Sequence, residues 1–222
     1  MVRASRIFCH RDTQQMQATM LFDVGLLIGR QIFLFAHLVA FAFSFVTVIR
    51  GDWAMLRGDY FAGRRDLGED AKQIAWLLAI LWLSGLGLIA LGPGLSVQAL
   101  TGSPKILAKL TVVFVLTGNG LLLHNIAFPA LSGERRALPP VMLSLCLVLG
   151  AVSTTSWLFA GLIGAARVVA PLLNYQHYMA AYTGAMAIGV LVALFAVRPL
   201  MLRHFPLSRS GIRSASGQTT NG

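Results

Sequence analysis

Long apolar runs, separated by short polar stretches, set the pattern of this chain. A helix that crosses a bilayer needs about 20 mostly apolar residues. Runs of that scale recur at about 25–49, 74–91, 106–131, 141–165 and 178–197. They predict an all-α polytopic transmembrane helix bundle of five spans, forming a single membrane domain over residues 1–222. Residues 1–24 are expected as an N-terminal tail or interfacial helix. A shorter first span starting at Gln31 would leave residues 14–30 on the membrane surface and put Arg30 at its boundary.

The polar stretches between the runs carry recognisable breaks. Residues 50–72 read as a loop of alternating charge, from Arg50 and Asp52 to Asp70 and Lys72. Gly92-Pro93-Gly94 is a helix stop, and Pro139-Pro140 opens the fourth span. That span has a polar middle, Ser153-Thr154-Thr155-Ser156. After Arg198 the chain turns basic and then Ser/Gly-rich, and residues 198–222 are expected to be partly disordered.

Composition supports the membrane reading. Hydrophobic residues make up 56% of the chain and charged ones 12%, against about 25% charged in soluble domains. The mean hydropathy is +0.72. The net charge of +10 sits in loops and termini, with no basic stretch interleaved with aromatics. That distribution suits lipid headgroups rather than nucleic acid. The expected partners are therefore the lipid bilayer and either a second copy or another membrane subunit. The first 20 residues contain no apolar signal-peptide core, so the first span is expected to serve as the insertion signal.

Orientation follows from Lys and Arg. With the N-terminus outside, eleven fall on the inner side and six on the outer. The count predicts an outside N-terminus and a cytoplasmic C-terminus, in a bacterial inner membrane.

Ionisable groups inside a bilayer are costly, which makes them functional candidates. His37 lies mid-way along the first span. Its imidazole could ligate a haem iron or copper, or could bond to a hydroxyl or carbonyl of a neighbouring helix. His124 lies in the third span. From the short first span the two histidines differ in depth by about 10 Å, and the longer span shrinks this to a few ångströms. Lys109 is expected to snorkel. Asn119, between Gly118 and Gly120, has the composition of a close helix contact with an interhelical hydrogen bond. The tail offers Cys9, His10, Met16 and Met20, all ligand types for Cu(I). Cys146 reads as a buried apolar residue. No nucleotide-binding, zinc-protease or serine-hydrolase motif occurs.

Three segments together carry a resemblance: His37-Leu38-Val39-Ala40-Phe41 with Gly51-Asp52-Trp53, Trp82 to Ile89, and Leu107-Ala108-Lys109 with Asn119 and His124. Residues 30–130 so read resemble small bacterial membrane proteins of the copper-resistance D domain and membrane protoporphyrinogen oxidase group. The resemblance implies a four- or five-helix bundle with a haem or copper connection. His37 would match its first-helix histidine and Lys109 its third-helix lysine. Oxidase-like members carry a further histidine where this chain has Arg50-Gly51-Asp52, and a Tyr-His pair where it has Asn119. The expected function is binding of haem b or copper through intramembrane histidines. The alternatives are a copper or small-solute transport subunit and a tetrapyrrole-oxidising membrane enzyme.

Overall fold

A computed structural model describes the backbone at residues 2–59, 66–129, 140–166 and 172–204; the first 15 side chains and that of Ala18 lie outside the described residues. The described chain is all-α, without a strand. Five of its helical segments are long and apolar enough to cross a membrane: Thr19–Arg57, Leu67–Ala90, Pro104–Ala127, Val141–Ala165 and Tyr175–Leu202. Large apolar side chains such as Phe35, Leu83, Phe114, Leu162 and Phe195 are exposed on these helices. A soluble protein seldom shows that much apolar surface, and hydrocarbon is the solvent that suits it.

The first helix, α1 (Val2–Arg57), is a single rod of 56 residues. No proline interrupts it, so nothing removes a backbone donor or clashes with the preceding turn. Residues 14–30, for which the sequence allowed a separate surface helix, continue the same rod. The helix also runs past residue 49, where the apolar run ends. It stops at Gly58, whose φ of 73° only glycine adopts at low cost. Gly58 N–H returns to the Met55 carbonyl (3.0 Å) and Asp59 N–H to the Ala54 carbonyl (2.9 Å), the two bonds of a Schellman cap. The polar stretch expected as a loop from residue 50 is thus helix as far as Arg57.

Asp66 starts α2 (Leu67–Ala90). Its carboxylate accepts from Gly68 N–H at 2.7 Å, and Glu69 and Asp70 in the first turn complement the helix dipole. The stop at Gly92-Pro93-Gly94 is where α2 ends, with Gly94 at φ 90°. The short α3 (Val97–Thr101) is capped by Ser96, which accepts from Ala99 N–H at 3.1 Å.

Then come α4 (Pro104–Leu122), α5 (Pro140–Ala165), α6 (Tyr175–Val192) and α7 (Arg198–His204). Two π-helical turns interrupt the third and fifth apolar segments, at Leu123–Ala127 and Ala193–Val197. Each precedes an X-Pro pair, Phe128-Pro129 and Arg198-Pro199. A proline ring collides with the carbonyl four residues back. Widening the turn relieves the clash, and Phe128 and Arg198 N–H instead reach carbonyls five residues back.

The chain falls into two compact units. The first joins the α1 residues up to Ser44 to Ala75–Ser103; the second joins Phe45–Ile74 to Pro104 and beyond. In the first unit α1 and α2 run antiparallel. Phe33 packs on Gly87, while Gly29 faces Leu91. In the second, Ala108 and Val112 of α4, Phe159 and Ile163 of α5, and Tyr178 and Tyr182 of α6 form one core. Another gathers Leu143, Leu147, Ala193 and Met201, with Met55 from the end of α1 against it.

Candidate functional site

His37 lies on the face of α1 that meets α2. Opposite it, α2 presents Ser84, Gly85 and Gly87, small residues that let two helices approach closely. The imidazole rests on Gly85, where an added Cβ would stand 3.5 Å from Cε1. His37 Nδ1 lies 2.9 Å from Ser84 Oγ. The Ser84 hydroxyl also lies 2.7 Å from the Ile80 carbonyl. A hydroxyl has one proton, and a carbonyl can only accept it. Ser84 therefore donates to Ile80 and accepts from His37, so Nδ1 carries the ring proton and Nε2 the lone pair. The hydroxyl partner that the sequence set as the alternative to ligation is present, and it places a ring proton on Nδ1.

His124 belongs to the second unit. It sits in the first π-helical turn, exposed, with its ring edge-on to Phe128 at 6.2 Å. The two candidate ligand histidines thus differ in setting: His37 is half-buried against a neighbouring helix, His124 is exposed.

Lys109 is half-buried, with its ammonium over Gly164 in the last turn of α5, and Lys105 Nζ donates to the Ala166 carbonyl at 3.3 Å. The carbonyl end of a helix attracts cations, so both lysines serve the C-terminus of α5. Asn119 is 5% exposed, and its Nδ2 donates to the Leu149 carbonyl of α5 at 2.9 Å. The expected interhelical bond is present, but Gly118 and Gly120 face open space rather than a close helix contact. Met16 and Met20 are exposed one turn apart on α1; the side chains of Cys9 and His10 lie outside the described residues. No group of three or more His, Cys, Asp or Glu gathers among the described residues.

One ionisable residue that sequence reasoning assigned to a loop lies inside the helices. Asp52 is on the last part of α1, and Thr154 Oγ1 donates to its Oδ2 at 2.5 Å. Thr154 stands near the middle of α5, eleven residues before its end. The rest of the polar centre of α5 is also engaged. Thr155 abuts Gly189 of α6. Ser156 donates to the Val152 carbonyl at 2.7 Å and lies 2.8 Å from the Tyr182 hydroxyl. A signal for Asp52 existed: buried small residues recur along α1 at Ala40, Ser44, Thr47 and Ala54, and this stripe carries the helical period straight through the charged stretch.

No protein-family model, curated protein or solved structure matches the chain.

Proposed function

We propose that this is a multi-pass protein of a bacterial inner membrane that binds haem b or copper, with His37 as principal ligand. In this reading the N-terminus is outside and the C-terminus cytoplasmic. The observation that carries it is the His37–Ser84–Ile80 relay, because it keeps the ring proton on Nδ1, so that Nε2 would be the ligating atom. The support is chemical: an imidazole can ligate a haem iron or a copper ion. The resemblance to the copper-resistance D and membrane protoporphyrinogen oxidase group points the same way. His124 is the second candidate ligand.

The test is the visible spectrum of the detergent-purified protein, oxidised and then dithionite-reduced, with metal analysis alongside. The expected result is a Soret band with reduced α and β bands, or stoichiometric copper, and His37→Ala abolishes it. A colourless, copper-free protein, or a His37→Ala variant with unchanged content, would refute the ligand role.

A copper or small-solute transport role draws support from a different observation, the polar middle of α5 and its contact with Asp52. Unchanged copper tolerance in a deletion strain would count against the copper form of this reading.

A further inference from the structure

Asp52 stands apart from everything assigned to His37, and the two belong to different units of the chain. Its position along the second unit can be measured on α5. Thr154, which holds it, lies about 16 Å from the Ala165 end and about 21 Å from the Pro140 end of that helix, at 1.5 Å per residue. The apolar segment Val141–Ala165 is about as long as a hydrocarbon core is thick. A carboxyl bonded at the middle of such a helix lies well inside the apolar span.

A carboxylate there needs neutralising. Among the described residues the one polar partner of Asp52 is the Thr154 hydroxyl. No cationic group among the described residues pairs with it. On α1, Arg50 is exposed, and the Arg57 guanidinium stacks over Trp53 at 4.9 Å. On α5 there is no charged residue, and its one titratable side chain is the Cys146 thiol, two turns from Thr154. From the segment packed on Met55 comes Arg198, half-buried, whose Nε has no hydrogen-bond partner. A metal cation is a poor substitute, since hard cations gather six or more oxygen ligands and one carboxyl with one hydroxyl falls far short. A proton needs only the carboxyl.

We propose that Asp52, held by Thr154 inside the helices, is an exchangeable proton-binding site of this membrane protein. The carboxyl takes up a proton to become neutral in the apolar interior and releases it to become the acceptor of the Thr154 hydroxyl. Asp52 is half-buried rather than sealed, so a lipid-soluble reagent can reach it. The site is independent of His37 and of any haem or copper.

A lipophilic carbodiimide tests this on the full-length protein in liposomes. The acid O–H adds across one C=N bond: the carboxyl oxygen bonds to carbon, the proton goes to nitrogen and nothing leaves. The acylisourea then rearranges to a stable acylurea. Only the protonated carboxyl reacts. Peptide mass spectrometry should find the adduct on Asp52, with a rate that falls as pH rises. The exposed Glu69 reacts instead with a water-soluble carbodiimide. Asp52→Asn loses the adduct. Thr154→Val removes the donor that favours the charged carboxylate, and labelling of Asp52 at neutral pH should rise by about tenfold. No adduct on folded wild-type protein, a rate unchanged in Thr154→Val, or a rate slowed by millimolar sodium at fixed pH would each overturn the proposal. The last result would assign the site to a metal cation.

Discussion

His37 and Asp52 lie on one helix, and each meets a hydroxyl from another. The two hydroxyls do opposite work. Ser84 sits one turn after the Ile80 carbonyl and gives its proton there, so it can only accept from His37. Thr154 gives its proton to Asp52. A helix hydroxyl that satisfies its own backbone becomes an acceptor for its neighbour, and one that does not becomes a donor. The first arrangement places a ring proton on Nδ1; the second favours a charge. The destination of one proton separates a ligand site from a titrating site.

The two units also differ in how tightly their helices meet, and here the largest effect is expected. In the first unit an alanine at Gly87 would put Cβ 2.7 Å from the Phe33 ring. Phe33 is partly exposed and can swing toward lipid. In the second, an alanine at Gly189 would overlap Thr155 Oγ1, and Thr155 is buried. Threonine is branched at Cβ, so turning χ1 tends to bring its methyl to the same place. Gly189→Ala should cost about 2–3 kcal/mol and Gly87→Ala about 1 kcal/mol, read from unfolding in mixed detergent micelles. Equal costs would mean that Phe33 is as confined as Thr155. Restoration of Gly189→Ala by Thr155→Ala would assign the penalty to that one contact.

Ser84→Ala sharpens the contrast between the two hydroxyls at a smaller scale. It removes the acceptor of His37 Nδ1–H, and leaving a part-buried donor unsatisfied costs about 1–2 kcal/mol. It also frees the ring to take the other tautomer, so haem or copper content should fall along with stability. Stability lost with cofactor content unchanged would leave His37 a structural residue and detach it from ligation.

How much of this was legible in the sequence depends on which physical signal each element leaves. The apolar runs marked the long helices because bilayer thickness imposes a length that no other pattern imitates. Asn119 announced its interhelical bond as a polar side chain inside an apolar run. Asp52 did not, because eight residues of mixed charge after Ile49 outweigh, in any count of hydropathy, the stripe of small residues that continues through them. The α1 end is set by the glycine at residue 58, and nothing before it breaks the helix. The relay from His37 through Ser84 to Ile80 was equally invisible, since it joins residues 47 apart in the chain and depends on which atom receives a single proton. The π-helical turns were within reach: each precedes an X-Pro pair in a continuing helix, and the clash that opens them is local.

The smallest effects compare Asn119 with His124, five residues apart and facing different surroundings. Asn119→Leu keeps the number and branching of the side-chain heavy atoms and deletes the bond to the Leu149 carbonyl. Interhelical side-chain bonds in membrane proteins average about 0.6 kcal/mol, and that is the expected loss. His124 is exposed beside Phe128, and an exposed side chain away from such contacts changes stability by less than about 0.5 kcal/mol. His124→Ala should therefore fall below Asn119→Leu in the same micellar unfolding assay. If it exceeds it, the outer face of the π-helical turn meets something other than lipid. A cofactor would reveal itself by a loss of Soret absorbance or copper in His124→Ala, and a second copy of the chain by a loss of mass in light scattering. If the order holds and neither signal changes, His124 is no ligand, and any haem or copper in this protein must draw its ligands from His37 and a residue other than His124.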